Sequence, residues 1–241
     1  IVSSPRDAVS AYLEGIALAK SCGERHVEAS LVGNLGAARL ALGRLGPALE
    51  SLRDAARVLT ELGRERDVGR SLHNLARAEM LIGHFGAAAT HLTQDLEGVE
   101  MHQEAQAELA AHHGDLGVAR RLVLQNEAAR LRLAAAIAGS APDMAGSLLT
   151  QSEPASLDYA LADLRRSAAQ GVDVSAALQD VRSRETSSWE DALRVAIVLA
   201  EHGDLGAGSK ARTLLDLAAS TLSAKERERM RRVPAYARVL S

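Results

Sequence analysis

Residues 43–52 read GRLGPALESL, and this stretch sets the architecture because the chain repeats it. Residues 83–92 read GHFGAAATHL, residues 114–122 read GDLGVARRL, and residues 203–206 read GDLG. Each copy is a Gly-x-Leu/Phe-Gly turn that follows one helical pattern and opens another. Repetition of such a unit indicates an architecture in which similar helix pairs stack on one another.

The composition favours helices. The chain of 241 residues is 47% hydrophobic but only 2% aromatic, so alanine and leucine must form most of the core. Both are strong helix formers, and small side chains let helices pack closely. Runs of β-branched residues typical of strands are missing. We therefore expect an all-α fold with almost no sheet.

The regular part of the array covers residues 1–125. Ala8, Ala48 and Ala88 recur with a period of about 40 residues, and we expect Ala48 and Ala88 to lie where paired helices nearly touch. Because Ala8 matches an alanine of second helices, the opening helix is interpreted as the second helix of a repeat. The first residue is Ile1 rather than methionine, so we expect a piece of a longer polypeptide. Its helical patterns cover residues 5–20, 26–42, 48–62 and 68–82.

Repeat signals weaken over residues 126–241, which are interpreted as degenerate repeats with a capping helix at the carboxyl end. Ser223 and Glu226 have the spacing of a capping box, so a final helix should begin there. Pro234 is expected to break that helix. We interpret residues 1–125 and 126–241 as two parts of one continuous solenoid.

Two helices joined by a short turn, with small residues at fixed offsets, resemble the tetratricopeptide repeat family. The period in this chain is longer than the family's usual period of about 34 residues. Longer periods with an asparagine before the leucine resemble variants found in large bacterial signalling proteins. The resemblance implies an all-α, right-handed α-solenoid of antiparallel helix pairs, with about 12–14 helices. The residues that carry it are Leu35, Gly36, Gly43 and Ala48, followed by Leu75, Ala76, Gly83 and Ala88.

The resemblance also implies binding rather than catalysis. We expect a protein-protein or peptide-binding scaffold, the sensor or regulatory region of a larger bacterial signalling protein. Its partner would be a protein, a peptide or another domain of the same polypeptide. A free-standing receptor for a small peptide signal is the alternative. No motif supports an enzyme, and we expect no cofactor.

Charge and cysteine content restrict the partners. A formal net charge of −3 gives no general attraction to nucleic acid or to an anionic membrane. The one cysteine, Cys22, cannot form an internal disulfide, which fits a reducing cytoplasm. Residues 225–238 hold six basic side chains against two acidic ones, and we interpret them as a solvated capping helix. We therefore expect a cytoplasmic protein without nucleic-acid or membrane partners.

Two sequence patterns are similar to a phosphate-binding loop and to a metal site, and we interpret both as structural. Residues 203–210 read GDLGAGSK, but a phosphate-binding loop needs lysine before the hydroxyl residue and a preceding strand. His84 and His91 stand about two helical turns apart. Zinc needs three or four ligands in one shell, and no further histidine or cysteine cluster supplies them. We therefore expect neither a nucleotide site nor a metal site.

In the resembling family, first-helix side chains line a concave groove that binds extended peptides. Asn34 and Asn74 match the position whose amide bonds a ligand backbone. Two arginines lie one turn to either side of Asn74 and are expected to select an acidic group. The alternative is that the two asparagines only bond neighbouring helices. The predicted groove residues are Asn34, Arg70, His73, Asn74, Arg77, Glu104 and Glu108.

Overall fold

The structure is a computed structural model that describes residues 4–93, 100–123, 126–150 and 156–240. These residues form 15 α-helices and no strand, which confirms the all-α prediction. The helices are α1 (Pro5–Ser21), α2 (Arg25–Ala41), α3 (Leu45–Glu61), α4 (Glu65–Leu81), α5 (Phe85–Leu92), α6 (Glu100–His112), α7 (Leu116–Val123), α8 (Glu127–Ile137), α9 (Pro142–Leu149), α10 (Leu157–Ala169), α11 (Ser175–Ser183), α12 (Trp189–Glu201), α13 (Leu205–Ser220), α14 (Ala224–Arg231) and α15 (Pro234–Leu240).

The first four helices, α1 to α4, have the same length of 17 residues. A short connection of constant length separates each of them from the next helix. The middle residue of every connection is a glycine with positive φ, such as 72° at Gly43 and 76° at Gly83. A residue with a side chain rarely adopts this conformation, which ends one helix and redirects the chain into the next. Each repeat therefore consists of two matching units of helix and turn.

Small residues are buried between neighbouring helices. Ala48 and Ala88 have no exposed surface, as the repeat register predicts. Between α2 and α3, Gly36 faces Leu52 so closely that a Cβ on Gly36 would lie 2.6 Å from Cγ of Leu52. The absence of a side chain at Gly36 thus allows the two helices to pack at short range.

The chain divides into two compact units. Unit 1 comprises Ile1–Val99, Ser187–Leu193 and Ser209–Ser241. In it each helix from α1 to α5 packs on the next, and α2 also packs on α4.

Residues from the carboxyl end of unit 1 cover the turns of the first helices. A Cβ on Gly43 would lie 2.5 Å from the indole Cδ1 of Trp189. The backbone N–H of Gly46 donates a hydrogen bond of 3.1 Å to Oγ1 of Thr221. A Cβ on Gly83 would lie 3.1 Å from Cγ2 of Val233. Two turns of the regular repeats are therefore packing surfaces within unit 1.

Unit 2 comprises Glu100–Thr186 and Arg194–Gly208. Its central element is α8, which packs on α6, α7, α9 and α10. Six apolar residues of α8 are buried, so this helix is covered on most of its circumference. The sequence predicts a change from regular to degenerate repeats between residues 125 and 126, and residues 100–123 of the regular part belong to unit 2. The reason is that α6 packs on α8 as well as on α7.

The carboxyl end confirms one local prediction and corrects another. Ser223 and Glu226 form the predicted capping box, in which Ser223 N donates to Oε2 of Glu226 at 2.9 Å. The sequence predicts that the final helix is broken at Pro234, and α14 does end before it, at Arg231; α14 is not the final helix, however, because Pro234 begins α15. Proline suits a first helical position because its fixed φ is helical and its missing N–H is not needed there. Burial of Tyr236 and Val239 holds α15 in place.

Candidate functional site

The two predicted asparagines occupy equivalent places on adjacent helices. Asn34 lies on α2 and is exposed, and Asn74 lies on α4 and is partly exposed. The following residues, Leu35 and Leu75, are 3% and 2% exposed, so both backbones are fixed in the packed interior. Among the described residues, neither asparagine side chain forms a hydrogen bond. Both amides therefore keep their donors and acceptors for another molecule or for water.

A polar network adjoins these amides. Arg70, one turn before Asn74, donates to Oδ1 of Asp67 at 2.6 Å, and its side chain is 55% exposed. Oδ2 of the same aspartate accepts a hydrogen bond from Oγ of Ser30 at 3.4 Å. An ion pair at this exposure contributes little to stability. Arg70 therefore remains an accessible cation beside Asn74.

His73 does not border the surface as predicted. Only 3% of it is exposed, so it lies inside unit 1 and cannot touch a partner. Consecutive side chains of a helix point about 100° apart, so His73 leaves the face of Asn74 and is covered within unit 1.

Arg77 already has an acidic partner in the chain. Its Nη2 lies 2.7 Å from Oε2 of Glu190, and the two side chains are 25% and 14% exposed. The sequence predicts that Arg77 binds an acidic group of a ligand. In the structure Arg77 is instead paired with Glu190 of unit 1. Removing either partner would leave a partly buried charge uncompensated.

Glu104 and Glu108 lie on α6 in unit 2, and both contact Arg132. Nη1 of Arg132 is 3.2 Å from Oε1 of Glu104, and its Nε is 2.6 Å from Oε1 of Glu108. The arginine side chain is 15% exposed, so it is held as a mostly buried clamp between the two carboxylates. These glutamates have a clear structural role within their own unit.

The sequence analysis missed a buried carboxylate in unit 1. Glu79 on α4 is 2% exposed. Its Oε1 accepts a hydrogen bond from Nη2 of Arg53 at 3.2 Å. Nε2 of His91 lies 3.4 Å from its Oε2, at the outer limit of hydrogen bonding, and Nδ1 of His84 lies 4.0 Å from its Oε1. One sequence signal would have identified this cluster: Glu79 is a charged residue at a position that the repeat register places in the protein interior.

The surroundings of Glu79 keep it ionised. Burial, the largest influence, raises the pKa of its carboxyl group. Hydrogen bonding and positive charge from His91 and Arg53 oppose burial, and the resulting pKa lies below the ordinary value. The cluster therefore contains a carboxylate that is compensated by cationic neighbours.

Replacing this carboxylate should change how stability depends on pH. The folded pKa of Glu79 lies below its ordinary value of 4.5, so its ionised form stabilises the fold above that pH. The contribution is lost as the pH falls through the folded pKa. Wild type should therefore exceed Glu79→Gln in free energy of unfolding near neutral pH, and the difference should disappear once the pH falls below the folded pKa of Glu79. Urea denaturation at several pH values measures this difference.

Glu50→Gln provides the control, because Glu50 is exposed on α3. This variant should track the wild type across the pH range. A difference between Glu79→Gln and wild type that is the same at every pH would contradict the assignment.

The histidine pair and the glycine-rich stretch at residue 203 are the two patterns that the sequence analysis relates to metal and nucleotide sites. His84 and His91 lie near Glu79, yet no group of three or more histidine, cysteine, aspartate or glutamate side chains in the described residues could hold a metal ion. The glycine-rich stretch at residue 203 joins two helices, and Oδ1 of Asp204 accepts from the backbone N–H of Ala207 at 2.9 Å. Asp204 thereby satisfies a free N–H at the start of α13.

The described helices make this an all-helical protein with repeat-like helix pairs and a polar face on α2 and α4. No model of a known protein family matches the chain, and no curated protein or solved structure is found to be similar to it. Within the described part of the chain, no helix is long and apolar enough to cross a membrane.

Proposed function

We propose that this chain is a binding scaffold that holds an extended segment of a partner protein or peptide on the face formed by α2 and α4. The observation that carries the proposal is the pair of amides on Asn34 and Asn74. They are equivalent in register and accessible, and neither forms a hydrogen bond among the described residues. An asparagine that served only to join helices would bond a neighbouring helix.

The spacing of the helices suits an extended ligand. The axes of packed helices lie roughly 8–10 Å apart, and α2 packs on α4. An extended chain rises roughly 3.3 Å per residue, so about three residues connect the two amides. Each amide offers a donor and an acceptor, which match the N–H and C=O of a peptide backbone.

Charge suggests which segment is preferred. Arg70 is accessible beside Asn74, and its exposed pair with Asp67 is weak enough to be exchanged for a ligand carboxylate. An acidic side chain near the amide of Asn74 is therefore favoured. Arg77, Glu104 and Glu108 are left out of this site because each is engaged in an ion pair within its own unit.

The resemblance to repeats of bacterial signalling proteins supports a regulatory role, with the ligand segment on another protein or on another domain. The same resemblance supports a right-handed sense of helix stacking in α1 to α5. The chain has one cysteine, Cys22, and therefore cannot form an internal disulfide, which supports a reducing compartment such as the cytoplasm. A small free peptide signal is the alternative ligand for the same face.

Peptides selected from a random display library provide the probe. Asn74→Ala should weaken binding of a selected peptide about tenfold, the loss of one good hydrogen bond, while leaving the melting temperature unchanged. Asn34→Ala should have the same effects on affinity and melting temperature. Calorimetric titration and thermal unfolding on the same samples measure both quantities.

Asn126→Ala is the matched control. Oδ1 of Asn126 accepts from the backbone N–H of Ala129 at 3.0 Å, so its loss should cost about 1 kcal/mol of stability and leave binding intact. If both Asn34→Ala and Asn74→Ala retain full affinity, the proposed face is wrong.

A further inference from the structure

Helix α1 has an apolar face that its neighbour does not cover. Within the described residues α1 packs on α2, and no other helix packs on it to a similar extent. Ala19 is the one buried residue of α1, which is described over its whole length. Leu13 and Leu18 are 49% and 66% exposed. Helix α3, which has the same length, packs on both α2 and α4.

The repeat register relates the two helices position by position. Eight residues of α3 are buried. One repeat earlier, each corresponding position of α1 holds alanine, valine, isoleucine, tyrosine, glycine or proline. The sequence of α1 is therefore that of a helix covered on the same face as α3, although most of these α1 residues are partly or fully exposed.

The interface between α2 and α3 identifies what fits this face. Gly36 of α2 sits against Leu52, whose counterpart in α1 is Tyr12. A Cβ on Gly33 would lie 3.4 Å from Cβ of Ala55, whose counterpart is Gly15. A helix that covers α1 in the same way therefore needs a small residue opposite Tyr12, whereas Gly15 has no Cβ and leaves room for a larger residue opposite it.

One difference between α1 and α3 indicates which residue the covering helix carries opposite Ala11. Nη1 of Arg39 in α2 donates to Oγ of Ser51 at 2.6 Å. The counterpart of Ser51 is Ala11, which has no hydroxyl group and is exposed. An arginine at this place would lose the shorter of its two hydrogen bonds and keep only one like the 3.3 Å bond from Arg39 to the backbone carbonyl of Pro47, so an apolar residue suits this place better. Leu18, two turns after Ala11, extends the apolar surface on that side.

We propose that the outer face of α1 docks a partner helix of the α2 type, with glycine or alanine opposite Tyr12 and an apolar residue opposite Ala11. The contact continues the α2–α3 interface by one repeat. It is separate from the peptide face of α2 and α4 and does not depend on it.

A fused helix tests the proposal. A copy of residues 25–44 carrying Arg39→Leu is joined directly before Pro5, which reproduces the connection between α2 and α3. The midpoint of thermal unfolding should rise by about 5 °C or more, because a matching neighbour stabilises a repeat. Hydrogen exchange of the α1 amides should slow at least about tenfold.

Two variants make the result specific. Gly36→Leu in the fused copy should abolish the gain, since a side chain there would collide with Tyr12. Ala11→Arg should leave the unfused chain unchanged, because Ala11 is exposed, and should abolish the gain in the fusion. A fused helix that neither raises the midpoint nor protects α1 overturns the proposal. Dimerisation of the unfused chain that Ala11→Arg abolishes also overturns it, in favour of a second copy as the occupant.

Discussion

Gly46→Ala should lower the free energy of unfolding by about 3 kcal/mol or more, as measured by urea denaturation followed by circular dichroism. A Cβ on Gly46 would overlap the backbone carbonyl oxygen of Thr221. The contact is with backbone, so the segment that carries Thr221 must move away as a whole. That movement also breaks the hydrogen bond from Gly46 N to Oγ1 of Thr221.

Gly86→Ala is the matched control. Gly86 occupies the same place in the turn one repeat later, at the second residue of α5, and no atom lies within 4 Å of a Cβ built on it. Alanine is better than glycine in a helix by about 1 kcal/mol, so this variant should be neutral or slightly stabilised. Equal effects of the two substitutions would show that Thr221 does not cover the first turn.

Trp189→Ala should cost about 3–5 kcal/mol, the usual range for removing a large aromatic side chain from a core. Trp189 is 6% exposed, and its indole lies against Gly43. Its Nε1 donates a hydrogen bond of 3.1 Å to the carbonyl oxygen of Leu214. The substitution thus removes both the cover of a turn and a bond to α13.

Trp189→Phe separates these contributions. Phenylalanine keeps most of the apolar contact and loses the N–H donor, so it should cost markedly less than alanine. The chain has one tryptophan, and in the wild type its fluorescence reports on this contact alone. Fluorescence that stays unchanged while the helical signal is lost would contradict the buried position of Trp189.

Local features were predictable because helix formation depends on residues three and four apart and on short turns. The glycine turns lie where the pattern places them, and Ala48 and Ala88 are buried. The capping box at Ser223 also lies where the pattern places it. All of these are decided within about one helical turn of sequence, and no distant partner is needed to specify them.

The charged residues were predicted less well. Position 77 is in the right register for the face of α4, but its role depends on Glu190, which is 113 residues away in the chain. Glu79 is the counterpart of Arg39 one repeat later, and it is buried. Its cationic partner Arg53 lies on a different helix, α3. Periodicity assigns a face to a side chain but not the group it meets there.

The amino-acid sequence alone specifies the helices, their regular spacing in the first part of the chain and the small residues at which they approach. The cover that Trp189, Thr221 and Val233 place on the turns at Gly43, Gly46 and Gly83 is visible only in the folded chain. The difference comes from the range of the interactions. A helix is stabilised by near neighbours in the chain, whereas the cover of a turn depends on matching surfaces from segments far apart in the chain, which no repeat encodes.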